Sequence, residues 1–334
     1  MNPPPHRECH RRHPRPPALD RPMRYAHHTG LLARGPWLPL LLALGALAAT
    51  VTPALAGPPR DPRPGPGPVP AFTPGGPATT SGDLTAAGAE IYEGHAFDTC
   101  DAPSAAAMRD WLDSPYRAVG VYIGGRGRAC SAQPNLTPDW VADVDSMGWR
   151  LLPLYVGSQA PCVRDDDKSR VPIDATRPRQ QGAAEAADAI AAAESLGLAP
   201  GSPIYLDMED YDQRDGACAD TTLAFVQAFS RHLTDRGWIP GFYSSATSGI
   251  AHLEDARVSG AADLPDVLWY ARWRTAPTLV DEPVLDPGAW QPHRRIHQYE
   301  GDVTETHGGR SMRVDRNVVH APVAVLHNDH QVNP

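Results

Sequence analysis

From residue 91 onward, short runs rich in Val, Ile, Leu, Tyr and Phe recur, and each of the first five is followed by a stretch with helical spacing. This alternation limits the fold more than any other feature. Strands separated by helices of this length pair side by side and parallel, with the helices covering the sheet. The first six runs are 91–98, Ala118–Ile123, Trp149–Val156, Ile204–Asp210, Ile239–Ser244 and Val267–Ala271. Helices are expected from Pro103 through Trp111, after Thr137-Pro138, over Gly182–Leu196, over Thr221–Arg236 and near Ser248–Leu253. Thr137 has the chemistry of an N-cap, Pro138 that of a first helical residue, and Gly148, Gly197 and Gly237 follow final turns. Arg295–Tyr299 and Met312–Val319 supply a seventh and an eighth strand, with only Pro-rich loop from the sixth strand to the eighth. The pattern predicts an α/β fold: an irregular (β/α)8 TIM-type barrel lacking helices between its last strands. A doubly wound sheet is the alternative, but its nucleotide-binding versions lose support without G-x-G-x-x-G or a P-loop.

The fourth run, IYLDMEDYD (204–212), ends abruptly in carboxylates. Side chains alternate along a strand, so Asp207 and Glu209 share a face, with Cα atoms roughly 6.5–7 Å apart. That spacing suits acid/base work on a glycosidic bond. The plain alternative is a strand dissolving into a solvated acidic loop. In α/β barrels the site forms at the carboxyl ends of the strands. Those ends here carry Asp98, Tyr122, Tyr155, Asp207 with Glu209, Tyr243, Tyr270 with Arg272 and Trp273, Gln298 with Tyr299, and Asp315. Aromatic faces beside acids and amides suit a sugar ring, which has an apolar C–H face and a polar rim. Taken singly, each aromatic fits core packing equally well, and Asp98 fits a helix cap.

The ends of the chain read differently. Leu38–Ala49 is an apolar run preceded by arginines and followed by Ala54-Leu55-Ala56, the pattern of a secretory signal over 1–56. Met23 is a second candidate start, and Arg11-Arg12 lies too far from the apolar run for a twin-arginine signal, so general secretory export is expected. Residues 57–87 begin as a Pro/Gly-rich linker that cannot bury enough surface to order itself. The folded domain is then 88–325, with 326–334 a tail. The first 56 residues carry seven arginines against two acids, which leaves about −14 for the rest from a whole-chain −9. So acidic a chain argues against a nucleic-acid partner. No stable membrane span is expected after signal cleavage, and a monomer is. Cys100, Cys130, Cys162 and Cys218 remain, an even number for an exported protein, and predict two disulfides. Three pairings are open; pairing between neighbouring loops, Cys100–Cys130 and Cys162–Cys218, is preferred. No C-x-x-C occurs, and neither metal nor cofactor is expected.

The runs FDTCDAPS (97–104), VGVYIGGRGRAC (119–130), GWRLLPLYVGSQAPC (148–162), IYLDMEDYD, GFYSSATSGI (241–250), LWYARW (268–273) and HQYEGD (297–302) closely resemble the domain of unknown function 1906 family. Those are exported actinobacterial glycoside-hydrolase-like proteins, and the resemblance spans nearly all of 88–325, in order. That family is similar in fold to the family 25 glycoside hydrolases, the Chalaropsis-type lysozymes, which cleave the β-1,4 bond between N-acetylmuramic acid and N-acetylglucosamine. The more distant resemblance implies Glu209 as general acid beside Asp207, with Asp98 and Asp315 (of VDRN) matching the lysozymes' first- and last-strand aspartates. The neighbouring charge of Asp207 and partial burial would keep Glu209 protonated. The chain departs from lysozymes in its rim cysteines and in the insertion Asp165–Arg179. The partner implied is a polysaccharide or peptidoglycan glycan. A non-catalytic carbohydrate-binding or cell-envelope module is the second reading. A metal-dependent hydrolase using Asp98, Asp207 and Glu209 is the third.

Overall fold

The computed structural model describes residues 84–86 and 88–327. The expected signal peptide, nearly all of the linker and most of the tail lie outside the described residues. Eight strands close into a barrel in sequence order: β1 (Glu90–Asp98), β2 (Tyr116–Gly124), β3 (Arg150–Tyr155), β4 (Pro203–Asp207), β5 (Ile239–Ser245), β6 (Val267–Ala271), β7 (Arg295–His307) and β8 (Arg310–Val323). The helices are α1 (Ala105–Asp110), α2 (Pro138–Ser146), α3 (Pro178–Ser195), α4 (Gly216–Thr234) and α5 (Ala251–Val258). Their starts follow the capping chemistry in the sequence. Thr137 accepts from the Trp140 N–H with Pro138 inside the first turn of α2, and Asp215 accepts from the Cys218 N–H at the head of α4.

Strands β1 to β7 pair in parallel, but β8 runs antiparallel to both β7 and β1. The closed eight-strand barrel expected from the sequence thus has mixed strand directions. The cause is local. Gly308-Gly309 joins β7 to β8 in a two-residue turn with positive φ at both positions, and so short a link can only reverse the chain. Among the described residues no helix lies between β6 and β7. Ion pairs hold that connection: Arg272 with buried Glu282, and Asp286 with Arg257 of α5, which also pairs with Glu254.

The core divides into two layers because side chains alternate across each strand. One layer lies between sheet and helices, where Phe97 packs with Trp111 and Trp149 at ring separations of 4.9 and 5.8 Å. The other fills the barrel, with Tyr122, Leu154, Tyr205, Tyr243, Trp269 and Ile296. Gly120 makes room for the second layer, since a Cβ there would lie 2.6 Å from the Asp98 Cβ and 2.9 Å from the Trp269 ring. The barrel is therefore plugged by side chains below, and any hollow must open at the rim above. Disulfides Cys100–Cys130 and Cys162–Cys218 brace that rim, the pairing preferred from sequence. Among the described residues no helix is long and apolar enough to cross a membrane.

Candidate functional site

Asp98 ends β1 and stands directly opposite Asp315 of β8 in the antiparallel ladder. Asp315 thus reaches the rim from the early part of a descending strand, not from a carboxyl end. One amide joins the two acids: Gln298 Nε2 donates to Asp98 Oδ1 at 2.9 Å and to Asp315 Oδ2 at 3.4 Å. Asn317 Nδ2 donates to Asp98 Oδ1 at 2.9 Å, and the Tyr122 hydroxyl to its Oδ2 at 3.3 Å. Asp315 Oδ1 accepts the Asp302 N–H at 2.7 Å. The amide orientations follow from the indoles, which can only donate. Trp273 Nε1 and the Tyr243 hydroxyl donate to Gln298 Oε1 at 2.9 and 3.0 Å, and Trp269 Nε1 donates to Asn317 Oδ1 at 2.8 Å. Both amide nitrogens are thereby turned toward the carboxylates.

Asp207 closes β4 beside Tyr243 of β5, its register partner, so the chain of contacts runs from Asp98 and Asp315 through Gln298 and Tyr243 to the neighbourhood of Asp207. Glu209 lies just past the end of the strand. Met208 donates its N–H to the Tyr243 carbonyl and belongs to the outer layer, so Asp207 before it on the strand faces the inner side. On the other flank, Gln159 acts as a strand substitute. Its Nε2 donates to the Asp207 carbonyl at 2.8 Å, and its Oε1 accepts the Glu209 N–H at 2.8 Å. Further along, Ser248 in the π-turn Ala246–Ile250 accepts the Tyr211 N–H and donates to the Tyr211 carbonyl. The acid-bearing segment is held on both flanks. Gln159→Ala would strand two buried backbone groups and leave a cavity. We expect a loss of about 3 kcal/mol in denaturant unfolding, and a value under about 0.5 would contradict this account of the bracket.

Lys168, in the insertion between β3 and α3, places its ammonium 3.3 Å from Glu209 Oε1 and donates to the Gly127 carbonyl at 3.0 Å. A cation in contact with a carboxyl group favours its ionised form.

The aromatics expected to form the site separate by face. Tyr122 and Tyr243 lie inside the barrel, and Trp273 sits half-buried at its rim. Tyr155 and Tyr270 turn outward. The Tyr155 hydroxyl donates to Asp188 of α3, and burial raises its pKa; Tyr270 stacks on His297 and donates to the Thr278 carbonyl. Tyr299, half-buried, lies 6.1 Å from the same His297 ring on that outer side. Burial lowers the His297 pKa, which suits a structural imidazole. Asn317, Trp269, Gln159 and Lys168 join the site without having been picked out in the sequence. The first two were findable, because they share strand parity with Asp315 and Ala271. Among the described residues no group of three or more His, Cys, Asp or Glu side chains is arranged to hold a metal ion.

An α/β barrel with inward acids, amides and aromatics at one mouth is a glycoside-hydrolase-like architecture. The model of the Rv2525c-like, glycoside hydrolase-like domain matches residues 109–319, and the chain belongs to that family, the domain of unknown function 1906. Among solved structures, an uncharacterized protein of B. stearothermophilus is 20% identical at a TM-score of 0.44, covering 67% of this chain and 95% of its own. The Mycobacterium tuberculosis Tat-secreted protein Rv2525c, in complex with L-tartrate, is 16% identical at 0.47, covering 68% and 96%. The modular autolysin LytC from Streptococcus pneumoniae is 14% identical at 0.43, covering 68% and 46%. No functionally curated protein matches the chain.

Proposed function

We propose that this chain is an exported hydrolase of a cell-wall or related polysaccharide. One observation carries the reading: the inner ring that links Asp98, Asp315, Gln298 and Tyr243 to the Asp207 end of β4 at one mouth of the barrel. Glu209 acts as general acid. Its proton passes to the glycosidic oxygen as the C–O bond breaks, and the bonding pair leaves with that oxygen. Asp207 stabilises the oxocarbenium-like carbon, or orients a substrate N-acetyl group where that group is the nucleophile, and water completes the hydrolysis. Asp98 and Asp315 hold hydroxyls and shape the local field. Tyr122, Tyr243 and Gln298 line the rim, and Trp273 offers the ring face. The apolar run and Ala54-Leu55-Ala56, together with two disulfides, support export.

A second reading is a carbohydrate-binding module that keeps the cleft without cleaving. Incubating the secreted domain with peptidoglycan and α- and β-glucans, with mass spectrometry of the supernatant, separates the two. Released sugars support the hydrolase; retention without release supports the module. Trp273 gives a further test in either case. Its ring lies against Gly301, where a Cβ would fall 2.1 Å from the indole. Gly301→Ala displaces the platform, and glycan retention should fall about tenfold, the worth of roughly 1.4 kcal/mol of ring contact. Unchanged retention would remove Trp273 from the site.

A further inference from the structure

We infer that Lys168 is a positioning residue of this site, one that stabilises the carboxylate Glu209 becomes as its proton leaves. The inference rests on the hydrolase reading above and adds a residue to it.

The first ground is composition. Lys168 is the only lysine in a chain whose other 29 Lys and Arg residues are all arginine. Its side chain presents a compact ammonium on a flexible stem. The second ground is placement. Both members of the pair are nearly buried, at 11% side-chain exposure each, and meet at 3.3 Å. Ammonium and carboxylate withdrawn from water together are costly unless their geometry is held.

The third ground is how the geometry is held. Gln159 donates its N–H to the Val171 carbonyl, and its own carbonyl accepts the Ile173 N–H. Those two bonds close the base of the loop that carries Lys168 in its short turn Lys168–Arg170. The same Gln159 grips Asp207 and Glu209 with its side chain. The Cys162–Cys218 disulfide ties the loop to α4, and Arg164 donates its N–H to the Asp210 carbonyl. One buried glutamine therefore fixes both the acid and the cation that meets it.

The chemistry follows from the charges. Charged groups close by in chain or fold include Asp165, which accepts the Lys168 N–H, with Asp166, Asp167 and Arg170 on the same turn, Asp207 on β4, Asp210 with Arg164, Arg126 and Arg128 after β2, and Glu185 of α3, which Arg126 meets at 3.7 Å. Asp207 opposes ionisation of Glu209, and Lys168 favours it. When the Glu209 proton transfers to the glycosidic oxygen, negative charge appears on the carboxylate that faces the ammonium. Lys168 stabilises that state more than the protonated one, which is the condition for acceleration.

Three variants test this. With peptidoglycan as substrate, Lys168→Met should lower kcat ten- to hundredfold with KM little changed, and should move the alkaline limb of kcat/KM to higher pH, because the acid then holds its proton more firmly. Lys168→Arg should restore the limb toward its original position. An unmoved limb, or a loss confined to KM, would overturn the inference. A second measurement needs no turnover. In the full chain grown on [ε-13C]lysine, Lys168 gives a single side-chain resonance. At fixed pH it should shift in Glu209→Gln and on addition of chitotetraose. A resonance indifferent to both Glu209→Gln and chitotetraose would overturn the placement of Lys168 even if peptidoglycan is cleaved. A resonance that responds while no glycan is cleaved upholds the placement and defeats the hydrolase reading.

Discussion

Glu209→Gln should lower sugar release by about 10²–10⁴-fold, the range a positioned general acid supplies, while the protein still folds. The amide keeps the shape and an acceptor oxygen for Lys168, which also retains the Gly127 carbonyl. The backbone bracket by Gln159 is untouched, because it uses the Glu209 N–H and not its side chain. The two outcomes are read separately, turnover by soluble fragments and folding by thermal melting. Removal of the whole side chain would be less informative, since it leaves an ammonium buried without its carboxylate, at a cost of about 3–5 kcal/mol. Release by Glu209→Gln at the wild-type rate would take the acid role from this residue.

The second large effect concerns stability. The Cys162–Cys218 bridge closes a separation of 56 residues, and Cys100–Cys130 one of 30. Restricting the unfolded chain over such lengths is worth about 4 and 3.5 kcal/mol respectively in the loop-entropy account. That is a large share of a typical domain's roughly 5–15 kcal/mol. Cys162→Ser/Cys218→Ser should therefore shift urea unfolding by about 4 kcal/mol. It should also reduce activity below the melting temperature, because this bridge anchors the loop that positions both Gln159 and Lys168. Cys100→Ser/Cys130→Ser should destabilise almost as much with a smaller loss of activity. Equal activity losses would show that the first bridge has no special hold on the acid segment.

Much of this was readable from the chain. Alternating runs and helix punctuation located the strands, because α1, α2 and α4 start on capping side chains and strands such as β4 and β6 are mostly apolar. Asp98 and Asp207 could be matched because both close strands, whereas Asp315, which lies within β8, was matched through the resemblance of its VDRN run. What escaped the reading has physical causes. Strand direction is set by the connection, and Gly308-Gly309 between two alternating runs was the hairpin signal for a reversed β8. Tyr155 and Tyr270 sit one residue out of step with the inward set, and one step on a strand exchanges barrel interior for helix layer. Gln159 and Lys168 act from a loop between β3 and α3. Its path depends on the Gln159 backbone bonds to Val171 and Ile173, and no periodicity in the sequence announces those.

The most direct measurement is digestion of purified peptidoglycan in ¹⁸O-enriched water by the wild-type secreted domain, with mass spectrometry of the soluble products. The acid ring described here predicts fragments that carry the heavy oxygen at each new reducing end, and none above background from Glu209→Gln. Fragments without the label, or labelled fragments in equal amount from the variant, would contradict it.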